Sequence, residues 1–462
     1  MPDPSRKKSH RDAPRPGAPQ QVDWLLSPVE WLVTCDEAFR VWAPGAVAVR
    51  GDTIVAVGSR DAVEGSFRGR RRKDLSGCIV CPGLVNTHVH GAMSVFRGIA
   101  DDLPLQKWLQ QVIFPTEAAH VNADLVYLGT LLSAVEMLLG GTTTFCDGYF
   151  FEGTAAVAAR DSGIRAVLGQ GILDFPTPDQ PDPSKAMDRA AAFLESFPSG
   201  NHRLRPSLFC HAPYTCSPET LLWVKGICRE HGCLFQTHLS ETRSEVEDLT
   251  RKYGRRPVIF LDDLGILDAA TLCAHAVWVD EEEIVRLAER RVAVSHNPQS
   301  NMKLGAGAAP VPRMLEAGLT MGLGTDGCAS NNDLDLFGEM AAAARLHKVV
   351  TGNPVACSAQ QVLRMATRTG ARALGWDSDI GSIEAGKKAD LIAVDCRSPH
   401  LTPLYDPVSH LVYAARSSDV SLVWVGGDLV VEDGKIRTVD EEKLRREVAA
   451  LAHRISRSLA FR

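Results

Sequence analysis

Short apolar runs alternate with helical patterns through the middle of the chain, and this alternation restricts the fold more than any other feature. The run before His88, then 142–146, 166–168, 207–210, 234–237, 272–274, 292–295 and 321–325 give eight candidate strands. Eight strands separated by helices fit a closed (β/α)8 barrel of the α/β class better than an open sheet. One intervening helix is well marked: Asn122 is an N-cap, Leu125, Leu128, Leu132, Val135 and Leu139 follow at helical spacing, and Gly140-Gly141 stops it.

The two ends of the chain read as β-rich instead. Residues 46–49 and 54–57 flank a turn at Gly51-Asp52, as in a hairpin. Residues 422–425 and 429–431, with turns at Gly426-Gly427 and Asp433-Gly434, predict a second small sheet. Residues 1–21 are rich in Pro, Arg, Lys and Gln without an apolar run, so they read as a disordered, solvated tail and not as a signal-peptide core. No segment approaches the ~18 consecutive apolar residues needed to span a bilayer, so no membrane partner is expected. The net charge of −6 argues against nucleic acid as a partner. Twelve cysteines scattered through apolar runs fit buried, reduced thiols in a cytoplasmic protein. Cys78 and Cys81 form a lone CxxC with no second pair at zinc-site spacing, which reads as core packing.

Histidines and carboxylates fall at the ends of the strand-like runs, where a barrel presents its ligands. His88 and His90 are two apart, so the period of a strand points both to one face. His238 ends the run 234–237 and Asp326 ends 321–325. Three imidazoles and a carboxylate suit zinc, or less selectively iron or manganese, with a position left for water; the bland alternative for Asp326 is a turn residue beside Gly327. Glu241, three residues beyond His238, reaches the same mouth, and one carboxylate there can take a proton from water and deliver it to a leaving amine. Glu245 and Glu247 read as solvated loop residues. His275 ends 271–274 and is placed to orient water or relay a proton, with a satisfied core histidine as the alternative. His211 precedes the rigid turn Ala212-Pro213-Tyr214 and favours substrate contact, while His296 is balanced between packing and site support.

Taken together, PGLVNTHVH from Pro82, RGIADDLPLQKWL from Arg97, HAPYTCS from His211, THLSET from Thr237, SHNPQSNMKLG from Ser295 and GTDGCASNNDLDLF from Gly324 resemble the amidohydrolase superfamily. Within it they are similar to the methylthioadenosine/S-adenosylhomocysteine deaminases, over nearly all of residues 47–431. The resemblance implies a distorted barrel with a small β-sandwich domain built from both chain ends. The expected division is 22–80 with 380–440 for that domain, 81–379 for the barrel and 441–462 for a C-terminal helix. It also implies that His88, His90, His238 and Asp326 hold a single divalent ion, zinc being expected, with Glu241 and His275 catalytic. Glu117 then binds ribose hydroxyls, His211 contacts the nucleoside, Trp108 lines the sugar pocket, and Glu241 and Asp326 also touch substrate. The implied reaction is hydrolytic deamination of an adenine nucleoside, and homo-oligomers are common among such proteins. Some relatives carry an arginine near the end of the third strand for the homocysteine carboxylate; this chain has Gly169-Gln170-Gly171 there, which predicts weaker binding of a charged tail. Guanine, cytosine or chlorotriazine hydrolysis on the same scaffold is the alternative, as is a non-catalytic descendant, although none of the implied ligands is missing.

Overall fold

The computed structural model describes residues 19–197 and 202–459. Its centre is a closed barrel of eight strands, all parallel: β1 (Leu84–Val89), β2 (Thr142–Tyr149), β3 (Arg165–Ile172), β4 (Leu204–Cys210), β5 (Leu234–Leu239), β6 (Thr271–His275), β7 (Ala293–His296) and β8 (Thr320–Leu323). Each of the eight runs read as a barrel strand contributes to this barrel. The helix after β1 spans Ala123–Leu139, with the Asn122 side chain accepting from the Leu125 amide at 3.0 Å.

The seam between β8 and β1 is thin in backbone terms, with Leu323 opposite Asn86 as its registered pair. Side chains strengthen it: Asn86 Nδ2 donates to Thr325 Oγ1 at 2.8 Å, Thr87 Oγ1 to the Leu323 carbonyl at 3.0 Å. Gly324 makes the approach possible, since a Cβ there would lie 2.9 Å from the His88 backbone nitrogen of β1, and 2.5 Å from Ser295 Oγ and Asn297 Oδ1 on the β7 side. The chain just past β8 is thereby pressed against β1, and the Asp326 amide donates to the His88 carbonyl at 3.0 Å.

Both chain ends enter a separate nine-stranded mixed sheet. Strand Gln20–Val33 runs parallel to Phe67–Pro82, and the hairpin Gly45–Arg50/Thr53–Ser59 lies on its outer side. Leu391–Asp395 pairs with the far half of Phe67–Pro82, placing Leu391 opposite Pro82, and Val420–Val425, Asp428–Glu432 and Lys435–Ile436 follow outward. Residues from both halves share one core, in which the Trp24 and Trp424 rings meet edge to face at 6.0 Å, so the sheet packs on itself in the manner of a sandwich. Gln20 and Gln21, read as tail, pair with Phe67 and Arg68; the rest of the expected tail, residues 1–18, lies outside the described residues. A helix, Glu441–Leu459, ends the described chain. All twelve cysteines are free thiols, ten of them buried, Cys78 and Cys81 included. Among the described residues no single helix is long and apolar enough to cross a membrane.

Barrel and sheet are joined by a buried ion pair. Arg165, at the start of β3, donates from Nε (2.8 Å) and Nη2 (3.0 Å) to the two carboxylate oxygens of Asp390, just before Leu391–Asp395. Asp390 also accepts the Gly426 amide at 2.7 Å, and both charged side chains are only 2% exposed. Removing one partner strands a charge in the interior, so Asp390→Ala and Arg165→Ala should each destabilise the fold by about 3–5 kcal/mol. The double variant should cost clearly less than the sum of the two in urea titrations; strictly additive losses would show that the pair is not coupled.

Candidate active site

The barrel's closure gathers strand ends at one rim. β1 sends His88 there, with His90 one residue past its end; β5 carries His238, with Glu241 in the turn that follows; β6 ends at His275; and Asp326 lies just beyond β8. His88, His238, His275 and Asp326 each offer a ligand atom within 4.8 Å of all the others. His88 Nε2 and His238 Nε2 are 3.2 Å apart. Asp326 Oδ1 lies 3.5 Å from His88 Nε2 and 3.3 Å from His90 Nε2, so His90 belongs to the same convergence.

Two of the imidazoles, His90 and His275, are aimed by a partner on the far nitrogen. His90 Nδ1 bonds to the Gly148 carbonyl at 2.7 Å, and His275 Nδ1 to Asn301 Oδ1 at 2.8 Å, which turns both Nε2 atoms toward Asp326. Asp326 Oδ2 accepts the Ser300 and Ser330 hydroxyls, both at 2.7 Å, and Oδ1 the Gly327 amide at 2.8 Å. His275 and Asp326 hold left-handed backbone, φ +73° and +62°, where only glycine is unstrained; such strain persists where the surroundings over-determine the conformation.

Burial pushes His88 down to about 4, and burial with the neighbouring imidazoles holds His238 well below its ordinary value. Burial alone would raise Asp326, but the His88 contact and the surrounding imidazoles keep it well below the carboxylate range. Imidazoles whose Nε2 atoms converge on one another and on a carboxylate, with Nδ1 of His90 and His275 already engaged by carbonyl oxygens, cannot all be satisfied by hydrogen bonds among themselves. One divalent cation satisfies them together, so the donor set fits a single metal ion.

Glu241 is buried beside this group, its Oε2 3.9 Å from His275 Nε2, and burial raises its carboxyl above the ordinary range. Glu245 is not a solvated residue: it is buried and accepts the Ser240 and Glu241 amides, both at 2.8 Å, thereby fixing the turn that presents Glu241. Its spacing from Thr242 is that of a helix-capping pair, the signal that could have singled it out. Glu247 is exposed, as read.

The cluster forms one wall of a cleft enclosing about 700 Å³, mouth included, which is room for a nucleoside-sized ligand. Trp108, Glu117 and His211, expected as substrate contacts, all line it. Trp108 opens a π-helical turn, Trp108–Ile113, that runs into the helix Phe114–His120 carrying Glu117. His211 Nδ1 is held by Thr215 Oγ1 at 3.0 Å, and burial with nearby imidazoles brings it down to about 3.

Two expectations fare differently. His296 turns into the packing layer, its Nε2 3.0 Å from His347 Nε2, and does not line the cleft. Gln170 does not face substrate either: its Nε2 donates to Asp179 Oδ2 at 2.9 Å behind the barrel wall. β3 continues to Ile172, so strand parity points Gly169 and Gly171 inward and Gln170 outward. Sequence reasoning also missed Tyr149 and Asn301, which touch Glu117 and His275.

The amidohydrolase family model matches residues 79–430. A 5-methylthioadenosine/S-adenosylhomocysteine deaminase of Syntrophobacter fumaroxidans is 48% identical over 424 residues, 92% of this chain and 96% of that protein. A protein of the same description from Syntrophus aciditrophicus is 44% identical over 95% of this chain and 99% of its own length. Among solved structures, an adenosine deaminase from Xanthomonas campestris with bound zinc superposes with a TM-score of 0.93 at 37% identity, covering 95% of this chain and all of that one. Zinc-complexed atrazine chlorohydrolase from Arthrobacter aurescens gives 0.86 at 26% identity, over 93% and 100% of the two chains. The chain therefore belongs to the amidohydrolase family and, within it, to the group of the 5-methylthioadenosine/S-adenosylhomocysteine deaminases.

Proposed function

We propose that this chain catalyses the metal-dependent hydrolytic deamination of adenine nucleosides, 5′-methylthioadenosine among them, giving the inosine analogue and ammonia. The observation that carries this reading is one cleft that holds both a cation-binding cluster flanked by Glu241 and, further along its lining, the carboxylate of Glu117. The first suits hydrolysis of an exocyclic amine, and the second suits a sugar diol. A bare base or a triazine has no use for Glu117, and the relatives at 48% and 44% identity carry the nucleoside description.

His88, His90, His238 and Asp326 would hold the ion, with zinc expected from the Xanthomonas campestris neighbour. When bound, the ion supplies a Lewis acid that makes a water molecule acidic near neutral pH. Glu241 takes one proton from the attacking water at a carboxylate oxygen and gives it to the ring nitrogen beside the reacting carbon, where it stays in the product. It then takes the second proton from the hydroxyl left on that carbon and delivers it to the amine, which departs as ammonia as the carbonyl forms. Its raised proton affinity suits both roles. His275, its Nδ1 engaged by Asn301, presents Nε2 to the water and orients it. Trp108, His211 and the apolar walls exclude bulk water and align the base.

Purified protein of known metal content, offered adenosine, 5′-methylthioadenosine, S-adenosylhomocysteine, guanine, cytosine and a chlorotriazine, should release ammonia from the adenine nucleosides alone. Chloride release, or turnover of free bases with nucleosides inert, would reject the reading. Chelation should abolish turnover and added zinc restore it. Glu241→Gln should keep its metal by elemental analysis and lose roughly 10²–10⁴-fold in kcat, whereas loss of the ion would make Glu241 a ligand.

Among the described residues the cleft lining contains no Lys or Arg, so a charged amino-acid tail on the 5′ carbon meets no cation from them there. 5′-Methylthioadenosine should be handled at least as well as S-adenosylhomocysteine by kcat/KM. A preference of about a hundredfold for the latter, the size a charge-assisted pair can give, would reveal a cation that moves in on binding.

A further inference from the structure

We infer that Tyr149 is a positioning residue for sugar recognition, holding the Glu117 carboxylate in the orientation that receives the two vicinal hydroxyls of a ribose. The inference rests on the deaminase reading, in which Glu117 meets the sugar. Tyr149 is the last residue of β2, and Glu117 comes from a different element, the helix Phe114–His120. The Tyr149 hydroxyl donates to Glu117 Oε1 at 2.6 Å, and the two side chains, both lining the cleft, are buried. A carboxylate presents about four lone-pair directions; the phenol fills one and leaves the others for two hydroxyl donors.

The ring of Tyr149 is itself held in place. It packs against Phe150 with centroids 4.9 Å apart and lies 6.3 Å from the His90 ring. Its neighbour Gly148 supplies the carbonyl that aims His90. One strand end thus sets both the imidazole cluster and the carboxylate that would meet the sugar, which fixes their spacing. Burial pushes Glu117 up to about 7, and the phenol's hydrogen bond opposes that rise, favouring the ionised form that can only accept.

The test compares adenosine with 2′,3′-dideoxyadenosine, which differ only in the diol, in the metal-loaded full-length enzyme. Tyr149→Phe should lower kcat/KM for adenosine by roughly tenfold or more, chiefly through KM, because a hydrogen bond to a charged group is lost. The same protein should act on the dideoxynucleoside within about twofold of wild type, and that substrate serves as the control for folding. Glu117→Gln should show the same substrate dependence, and the double variant should be no worse than Glu117→Gln alone. Equal losses on both substrates, or losses that multiply in the double variant, would overturn the assignment and make Tyr149 a packing residue. A wild-type enzyme that turned over both nucleosides equally well would overturn the sugar role of Glu117 and this inference while leaving the deaminase reading intact. A wild-type enzyme that turned over no nucleoside would overturn that reading as well.

Discussion

Asp326 is ionised, almost wholly buried and faced by imidazoles, and the geometry around it explains much of the fold at this end of the barrel. Hydroxyls of Ser300 and Ser330 and the Gly327 amide satisfy the carboxylate on the protein side, so Oδ1 can face His88 and His90. A buried carboxylate without such donors would be protonated instead. Placing it there requires β8 to close against β1 at a glycine, Gly324, and requires left-handed backbone at Asp326 itself. Strain of this kind costs on the order of 1–3 kcal/mol per residue and is offset by the packing of the closed barrel. The site is therefore a product of closure: with an open sheet, β8 and β1 would not be neighbours and the cluster would not exist.

Much of this was legible in the residues. Parallel strands buried on both faces appear as short apolar runs, and His238, His275 and Asp326 stand at or just beyond the ends of theirs. What such runs do not reveal is where a strand stops. The run at 142–146 continues to Tyr149, and the one at 166–168 to Ile172. The first extension brings Tyr149 onto the rim, and the second turns Gln170 away from it. With no polar face to mark parity, a strand read a few residues short misplaces whatever follows. Glu245 escaped for another reason: its partners are the backbone amides of Ser240 and Glu241, and the sequence marks it only through its capping spacing from Thr242. At the N-terminus, polar Gln20 and Gln21 read as solvent-loving, but strand pairing with Phe67 and Arg68 outweighs composition.

The cleft divides recognition between two kinds of surface. Leu105, Trp108, Leu109, Ile113 and Phe114, all from one stretch between β1 and the helix Ala123–Leu139, supply apolar wall without directional demands, which suits the flat base or thioether of the proposed substrates. Glu117, on the same stretch, and the imidazole cluster supply the directional contacts. A neutral ligand with one polar edge and one apolar arm matches that division, whereas a zwitterionic arm must keep its own water.

The pairing of Pro82 with Leu391 has a consequence for how the protein is made. The strand Phe67–Pro82 leaves the ribosome long before its neighbour exists, because every barrel strand is translated in between. Until Leu391–Asp395 emerges, the far half of that strand offers unpaired amides and carbonyls to any extended chain nearby. Nascent chains of this protein must therefore carry an open sheet edge through most of their synthesis. The cations of Arg68, Arg70, Arg71, Arg72 and Lys73, in the near half of the same strand, are the kind of residues that discourage such an edge from pairing with a neighbour on the polysome.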